Sequence, residues 1–190
     1  MKRFFQKIKQ LVTMKSEIYF HEDDYNQIEI VPEQNYASAQ KQMDSFPPQE
    51  EGVMGFSSIV VRDETPINIT ALKIDVALLD DYLTLHSTQT FDVIKTGYGS
   101  YVEIIDNAVA YGFDKLAIVV ESVDGIVKNL FLIDYYPPKE KICQPILPVL
   151  HDLGTQHSLI LVDWNAFAII RLNDKAAVNS YLEEASDWEE

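Results

Sequence analysis

The sequence predicts an α+β fold, with helices packed on a mostly antiparallel sheet built from hairpins. Three observations carry this. Four runs, Leu116–Ser122, Ile126–Asp134, Ser158–Val162 and Ala166–Leu172, are largely apolar in succession, where a strand with one wet face would alternate. Asp124-Gly125, between the first two, is a dipeptide that tight hairpin turns select because their central residues take positive φ. Apolar residues at three- and four-residue spacing flank these runs, and a helix with one apolar stripe needs a sheet or another helix to bury it. The four runs are therefore expected as strands of one sheet, covered on both faces.

The elements follow in order. Lys2, Arg3, Lys7, Lys9 and Lys15 open the chain without an acid, and Phe4, Phe5, Ile8, Leu11 and Val12 share one helical face. Residues 1–15 are thus predicted as a basic amphipathic segment, lying on an acidic body or frayed in preference to touching a membrane. A single α+β domain is predicted over 16–190. Glu17–Phe20 and Gln27–Val31 are β-prone and enclose His21-Glu22-Asp23-Asp24-Tyr25-Asn26, which predicts a hairpin with an acidic tip. Pro32 ends its second strand, since proline offers no N–H to a ladder.

Tyr36, Ala39, Met43 and Phe46 predict a helix from Asn35 that Pro47-Pro48 stops. A loop over Gln49–Gly55, a strand over Ser58–Arg62 and a turn around Pro66 come next. Asp75–His86 has Val76, Leu79 and Leu83 at helical spacing, and Phe91–Lys95 is β-prone. Ser100 and Glu103 have the spacing of a capping box. Tyr101, Ile104, Ile105, Ala108 and Val109 then predict a helix that Gly112 closes. A short helix is expected over Leu147–Leu153 before Gly154, and a hairpin turning at Asp163-Trp164-Asn165. Asn173 or Asp174 caps a last helix bearing Ala177, Val178, Tyr181 and Leu182.

Charge narrows the partners. The net charge is −15, and beyond the first fifteen residues ten basic residues stand against thirty acidic ones, or −20. Binding nucleic acid needs clustered Lys and Arg to displace counterions, so nucleic acid is set aside and a basic protein fits better. Cys143 is alone and forms no internal disulfide, which suits a reducing, cytoplasmic compartment. No stretch approaches the ~18 consecutive apolar residues of a membrane span.

Chemistry-bearing patterns are sparse. His21-Glu22-Asp23-Asp24 offers oxygen and imidazole ligands but lacks the spacing of a calcium loop or a zinc-binding histidine pair, so a polar turn or protein-contact surface is the stronger reading. Gly97-Tyr98-Gly99-Ser100 lacks the third glycine of a dinucleotide site and the lysine of a phosphate loop; a turn with an N-cap accounts for it. Cys143 has His151 and His157 downstream, yet a Cys–His pair is spatial and a lone buried thiol is the usual case. No catalytic residue, metal site or cofactor is assigned. For partner binding the candidates are Glu22, Asp23, Asp24 and Trp164, the last as a turn aromatic that either anchors an interface or folds back on the core.

Two stretches carry a resemblance. Tyr19–Pro32 resembles an N-terminal hairpin of small acidic bacterial immunity-type proteins from contact-dependent or polymorphic toxin systems. Leu161-Val162-Asp163-Trp164-Asn165, with Ile170-Arg171-Leu172 and the Tyr181-Leu182 helix, is similar to the ending of other bacterial proteins of this size. The resemblance implies a bacterial cytoplasmic protein that binds another protein stoichiometrically, neutralising a basic toxin domain by occluding its active cleft. A small-molecule or metal-dependent enzyme without a readable motif is the alternative, and a homodimeric scaffold or adaptor a third.

Overall fold

The computed structural model describes residues 16–46, 62–63, 65–113, 115–134 and 146–186. Among these residues the fold is α+β, with ten strands, β1 Glu17–His21, β2 Ile28–Pro32, β3 Gln89–Phe91, β4 Val93–Tyr98, β5 Tyr101–Ile104, β6 Ala108–Phe113, β7 Leu116–Val123, β8 Ile126–Asp134, β9 Leu159–Asp163 and β10 Ala168–Arg171. Four α-helices accompany them: α1 Tyr36–Asp44, α2 Val76–His86, α3 Ile146–His157 and α4 Lys175–Ser186. The predicted N-terminal segment 1–15, the strand at Ser58–Arg62 apart from Arg62, and Cys143 lie outside the described residues.

Seven strands form one sheet in the order β10-β9-β2-β8-β7-β6-β3, and every neighbouring pair is antiparallel. Three others form a smaller sheet, β1-β4-β5. The continuous apolar runs explain the layering. On one face of the large sheet, Ile30, Ile118, Val120, Leu130, Leu132 and Leu161 pack with Leu83 of α2, Leu150 and Leu153 of α3 and Val178 of α4. On the other face, Ala117, Val119, Phe131 and Ile133 receive Ile18, Phe20 and Ile94 of the small sheet. Further along that face, Val31, Ile160 and Val162 are covered by Ala39 and Met43 of α1 and by Trp164. Alternate residues of one strand thus serve different cores, which is why those strands carry no polar face.

All four predicted runs are strands of the large sheet. Asp124 and Gly125 turn the β7–β8 hairpin with φ of 50° and 76°, as a tight primed turn requires. β10 departs from full burial, because it is the edge strand and its residues are half-buried to exposed. Asp174 caps α4 by accepting from the N–H groups of Ala176 and Ala177 at 3.0 and 3.1 Å. Gly154 does not end α3, which continues to His157. Its hydrogen faces the backbone of Leu172, and a Cβ there would lie 2.3 Å from the Leu172 carbonyl carbon, so glycine lets the helix lie close against this segment.

Three predictions are corrected. Glu17–Phe20 and Gln27–Val31 are strands, but they do not form a hairpin. β1 pairs β4 in parallel, whereas β2 lies between β9 and β8 in the large sheet. β1 buries one face, through Ile18 and Phe20, whereas β2 buries Ile28 and Ile30 on one face and Val31 beside the Trp164-bonded Glu29 on the other, so each settles in the layer that matches its pattern. The predicted helix over Ser100–Gly112 is instead two strands, β5 and β6, and the β-prone Phe91–Lys95 is divided between β3 and β4 of different sheets. Gly99, with φ of 60°, and Ser100 turn β4 into β5, and Asn107, with φ of 55°, turns the chain again. Ser100 and Glu103 therefore form no capping box. Helical spacing in this segment is outweighed by its turn residues and its β-branched and aromatic content.

Candidate functional site

The acidic turn Glu22–Asp24 joins the two layers as a single 3-10 turn. His21 caps it, its Nδ1 accepting from the Asp23 N–H at 3.2 Å. All three carboxylates are exposed. Because β1 runs beside β4, the turn lies at the tip of the β4–β5 hairpin, and the His21 ring meets the Tyr98 edge at 5.1 Å. Tyr98 and Tyr101 pair across the hairpin end and are 66% and 61% exposed. The Tyr101 hydroxyl donates to Glu103 at 2.8 Å. This bond and the Glu103 charge raise its pKa first, with the charge of Glu22 adding to them. Acidic side chains and exposed phenol rings thus share one end of the small sheet.

The other sequence-selected residue lies elsewhere. Trp164 begins the β9–β10 turn, but its indole is buried against Ile160, Val162, Met43 and Val31. Its Nε1–H donates to Glu29 at 2.5 Å, and the Arg62 guanidinium lies 5.1 Å from its ring centre. Burial pushes the Glu29 carboxyl upward, opposed by the Trp164 hydrogen bond and the charge of Arg62. Trp164 is tied to the acidic turn through backbone only: its N–H donates to Gln27 O, and the Gln27 N–H donates to Asp24 O. As placed, its side chain packs the core, and Tyr98 and Tyr101 are the exposed aromatics beside Glu22.

Beneath β5 a cleft of about 510 Å³ separates the two layers, lined by Thr96, Glu103, Ile104 and Asp106 on one side and Glu121, Val123 and Lys128 on the other. Glu121 is its buried anchor, 3% exposed. The Tyr25 hydroxyl donates to Glu121 Oε1 at 2.6 Å, and Lys128 Nζ stands 3.4 Å from Oε2. Asn129 Nδ2 donates to Asn26 Oδ1 at 2.8 Å and lies 3.4 Å from Glu121 Oε1. Burial, then the hydrogen bond to Glu121, pushes the Tyr25 hydroxyl up to about 12. Among the described residues this wall has three carboxylates and one lysine, which suits a cationic group better than an anion.

No group of three or more His, Cys, Asp or Glu side chains is arranged to hold a metal ion among the described residues. No helix among them is long and apolar enough to cross a membrane. The sequence pattern gives no pointer to Glu121, whose surroundings combine Asn129, opposite it in the β7–β8 hairpin, with Tyr25 from the distant β1–β2 turn. Tyr98 and Tyr101 had a usable signal: Gly99-Ser100 between β-prone runs is a two-residue hairpin loop. Compared with models of protein families, with curated proteins and with solved structures, the chain gave no match.

Proposed function

We propose that the protein binds another protein stoichiometrically, in the cytoplasm of a bacterium, and neutralises a basic toxin domain by covering its active cleft. The observation that carries this reading is the meeting of Glu22, Asp23 and Asp24 with Tyr98 and Tyr101 at one exposed end of the small sheet. Tyrosine provides contact area with little rotamer entropy to lose, and tyrosine is enriched among the anchors of interfaces. A carboxylate-rich rim on a chain of net charge −15 speeds encounter with a basic surface. The resemblance of the Tyr19–Pro32 stretch to immunity-type proteins supports the same class of partner.

The test is kinetic and uses a basic toxin domain, sought first among the genes neighbouring this one. Glu22→Gln, Asp23→Asn and Asp24→Asn together should slow association by about tenfold at low salt, and the deficit should shrink as salt screens it. Tyr101→Ala should instead raise the dissociation rate, because an anchor holds a formed complex. Unchanged association of the triple variant at low salt would remove the electrostatic mechanism. Full toxin activity in the presence of excess protein would remove the immunity reading.

A further inference from the structure

We infer that β5 is a docking edge that takes up an extended, basic segment of the partner as an additional antiparallel strand, with lysine or arginine side chains lowered into the Glu121 cleft. This rests on the binding role proposed above and specifies its mode. Among the described residues β5 pairs only β4, and all four of its residues are exposed. Tyr101, Val102 and Ile104 are 61%, 49% and 59% exposed, an unusual state for β-branched and aromatic residues in a strand.

The ladder phase leaves this edge open. The Ile105 N–H donates to Ile94 O at 2.9 Å, and Tyr98 faces Tyr101 across the turn, with Thr96 facing Glu103. Hydrogen-bonded pairs alternate along an antiparallel ladder, so pairs 94/105, 96/103 and 98/101 carry the β4–β5 bonds. The N–H and C=O groups of Val102 and Ile104 then point away from β4, toward the open edge. Exposed edges are ordinarily blunted by short length, charge, proline or a bulge that turns them aside. Tyr101–Ile104 is four residues long without proline or lysine, and its one charge, Glu103, repels another acidic edge but not a basic strand.

Charge selects the occupant. Glu103 and Asp106 flank the edge and share the cleft with Glu121, while Lys128, the one cationic residue among the described residues on its wall, is engaged by Glu121. A second copy would bring Glu103 toward Glu103 and −15 toward −15, so a basic strand is favoured over self-pairing. Side chains alternate across an added strand. One set hangs over the cleft and meets its carboxylates; the other lies beside Val102 and Ile104. The expected segment therefore alternates basic with β-branched residues, and its main-chain bonds provide affinity while the cleft reads charge.

The test uses the full chain and a synthetic peptide of about seven residues alternating lysine and valine. Amide hydrogen exchange should slow about tenfold at Val102 and Ile104 when the peptide binds, with little change on β9. A peptide N-methylated on its ladder-facing amides keeps its charge and should bind about tenfold more weakly. The glutamate-for-lysine peptide should not bind. Val102→Pro should weaken the parent peptide similarly, since its N–H serves no bond to β4. The N-methylated peptide decides the matter even where this variant folds poorly. Equal binding of the parent and N-methylated peptides, or of the lysine and glutamate peptides, would overturn the inference. So would slow exchange at Val102 and Ile104 in the free protein with dimer formation, which would give the edge to a second copy. The two readings fail separately. Peptide-induced protection with a toxin unaffected by this protein leaves the edge and removes the immunity role; toxin neutralisation without any protection of Val102 and Ile104 does the reverse.

Discussion

β9 and β5 are both short strands of mostly apolar residues, and the protein treats them oppositely. Leu159–Asp163 is buried at every position, between α3 and α4 on one side and α1 with Trp164 on the other. Tyr101–Ile104 is exposed at every position. Burying one side chain of this size is worth about 1.5–3 kcal/mol, so β5 leaves several kcal/mol unrealised in the free chain. The large sheet is covered on both faces, whereas the outer strand of the small sheet keeps its side chains largely in solvent. The difference teaches where to look for each property, and substitutions in the two layers are expected to separate them.

The largest effect is expected in the large sheet. Leu161 is fully buried among Ile30, Leu150 and Leu153, and Leu161→Ala should cost about 2–5 kcal/mol through lost burial plus a cavity. Urea titration checks this. A loss below ~1 kcal/mol would mean that the three layers are packed less tightly than their burial indicates. Next comes Gly154→Ala. Its added methyl would collide with the Leu172 backbone at 2.3 Å, and backbone cannot rotate aside. A loss of about 1–3 kcal/mol is expected, although alanine in place of glycine ordinarily favours a helix. A stabilised variant would show that α3 can shift away from Leu172.

How much of this contrast was legible in the sequence depended on how local its cause was. β7, β8 and β9 were readable because burial on both faces leaves a continuous apolar run, and Asp124-Gly125 fixed one turn by its own backbone preference. By sequence alone β5 has the pattern of a helix, because Tyr101, Ile104, Ile105, Ala108 and Val109 do fall on one helical face. What decided against the helix was non-local: pairing with β4 and, through β6, with β7. The same limit governs the site. Glu22–Asp24 was marked by local charge density, whereas their neighbour Tyr101 comes from a strand far along the chain, brought near by the parallel β1–β4 pairing. Trp164 was marked as an aromatic at a turn, and only the fold shows that Glu29 draws the indole inward.

A smaller effect is expected where the layers meet. Tyr25 is partly in solvent, but its hydroxyl donates to the buried Glu121. Tyr25→Phe should cost about 1 kcal/mol at neutral pH, the low end for a bond to a charged group because solvent screens it. The pH dependence has a definite sign. The hydroxyl is raised to about 12 in the fold, against an ordinary tyrosine value of about 10 when unfolded. Its contribution is therefore complete below about pH 10 and is lost as pH rises toward 12. Melting temperatures of the parent and Tyr25→Phe proteins should converge across that window. A constant gap would mean that the hydroxyl does not stay protonated on Glu121.

The smallest effect, and the sharpest use of the comparison, belongs to β5. Val102→Thr with Ile104→Thr keeps β-branching, so the strand preference survives, and both side chains already stand about half in water or more. Stability should move by no more than about 0.5 kcal/mol, roughly a tenth of the upper range for Leu161→Ala. If the small sheet is a reserved surface, the same double variant should nonetheless weaken the partner complex, because the apolar area that a docked strand covers is reduced. Paired measurements decide it: a urea titration for the fold and a dissociation rate for the complex. Unchanged stability with faster dissociation assigns the apolar residues of β5 to the interface. Marked destabilisation would show that they serve the free fold after all, and the contrast between the two sheets would then be one of degree.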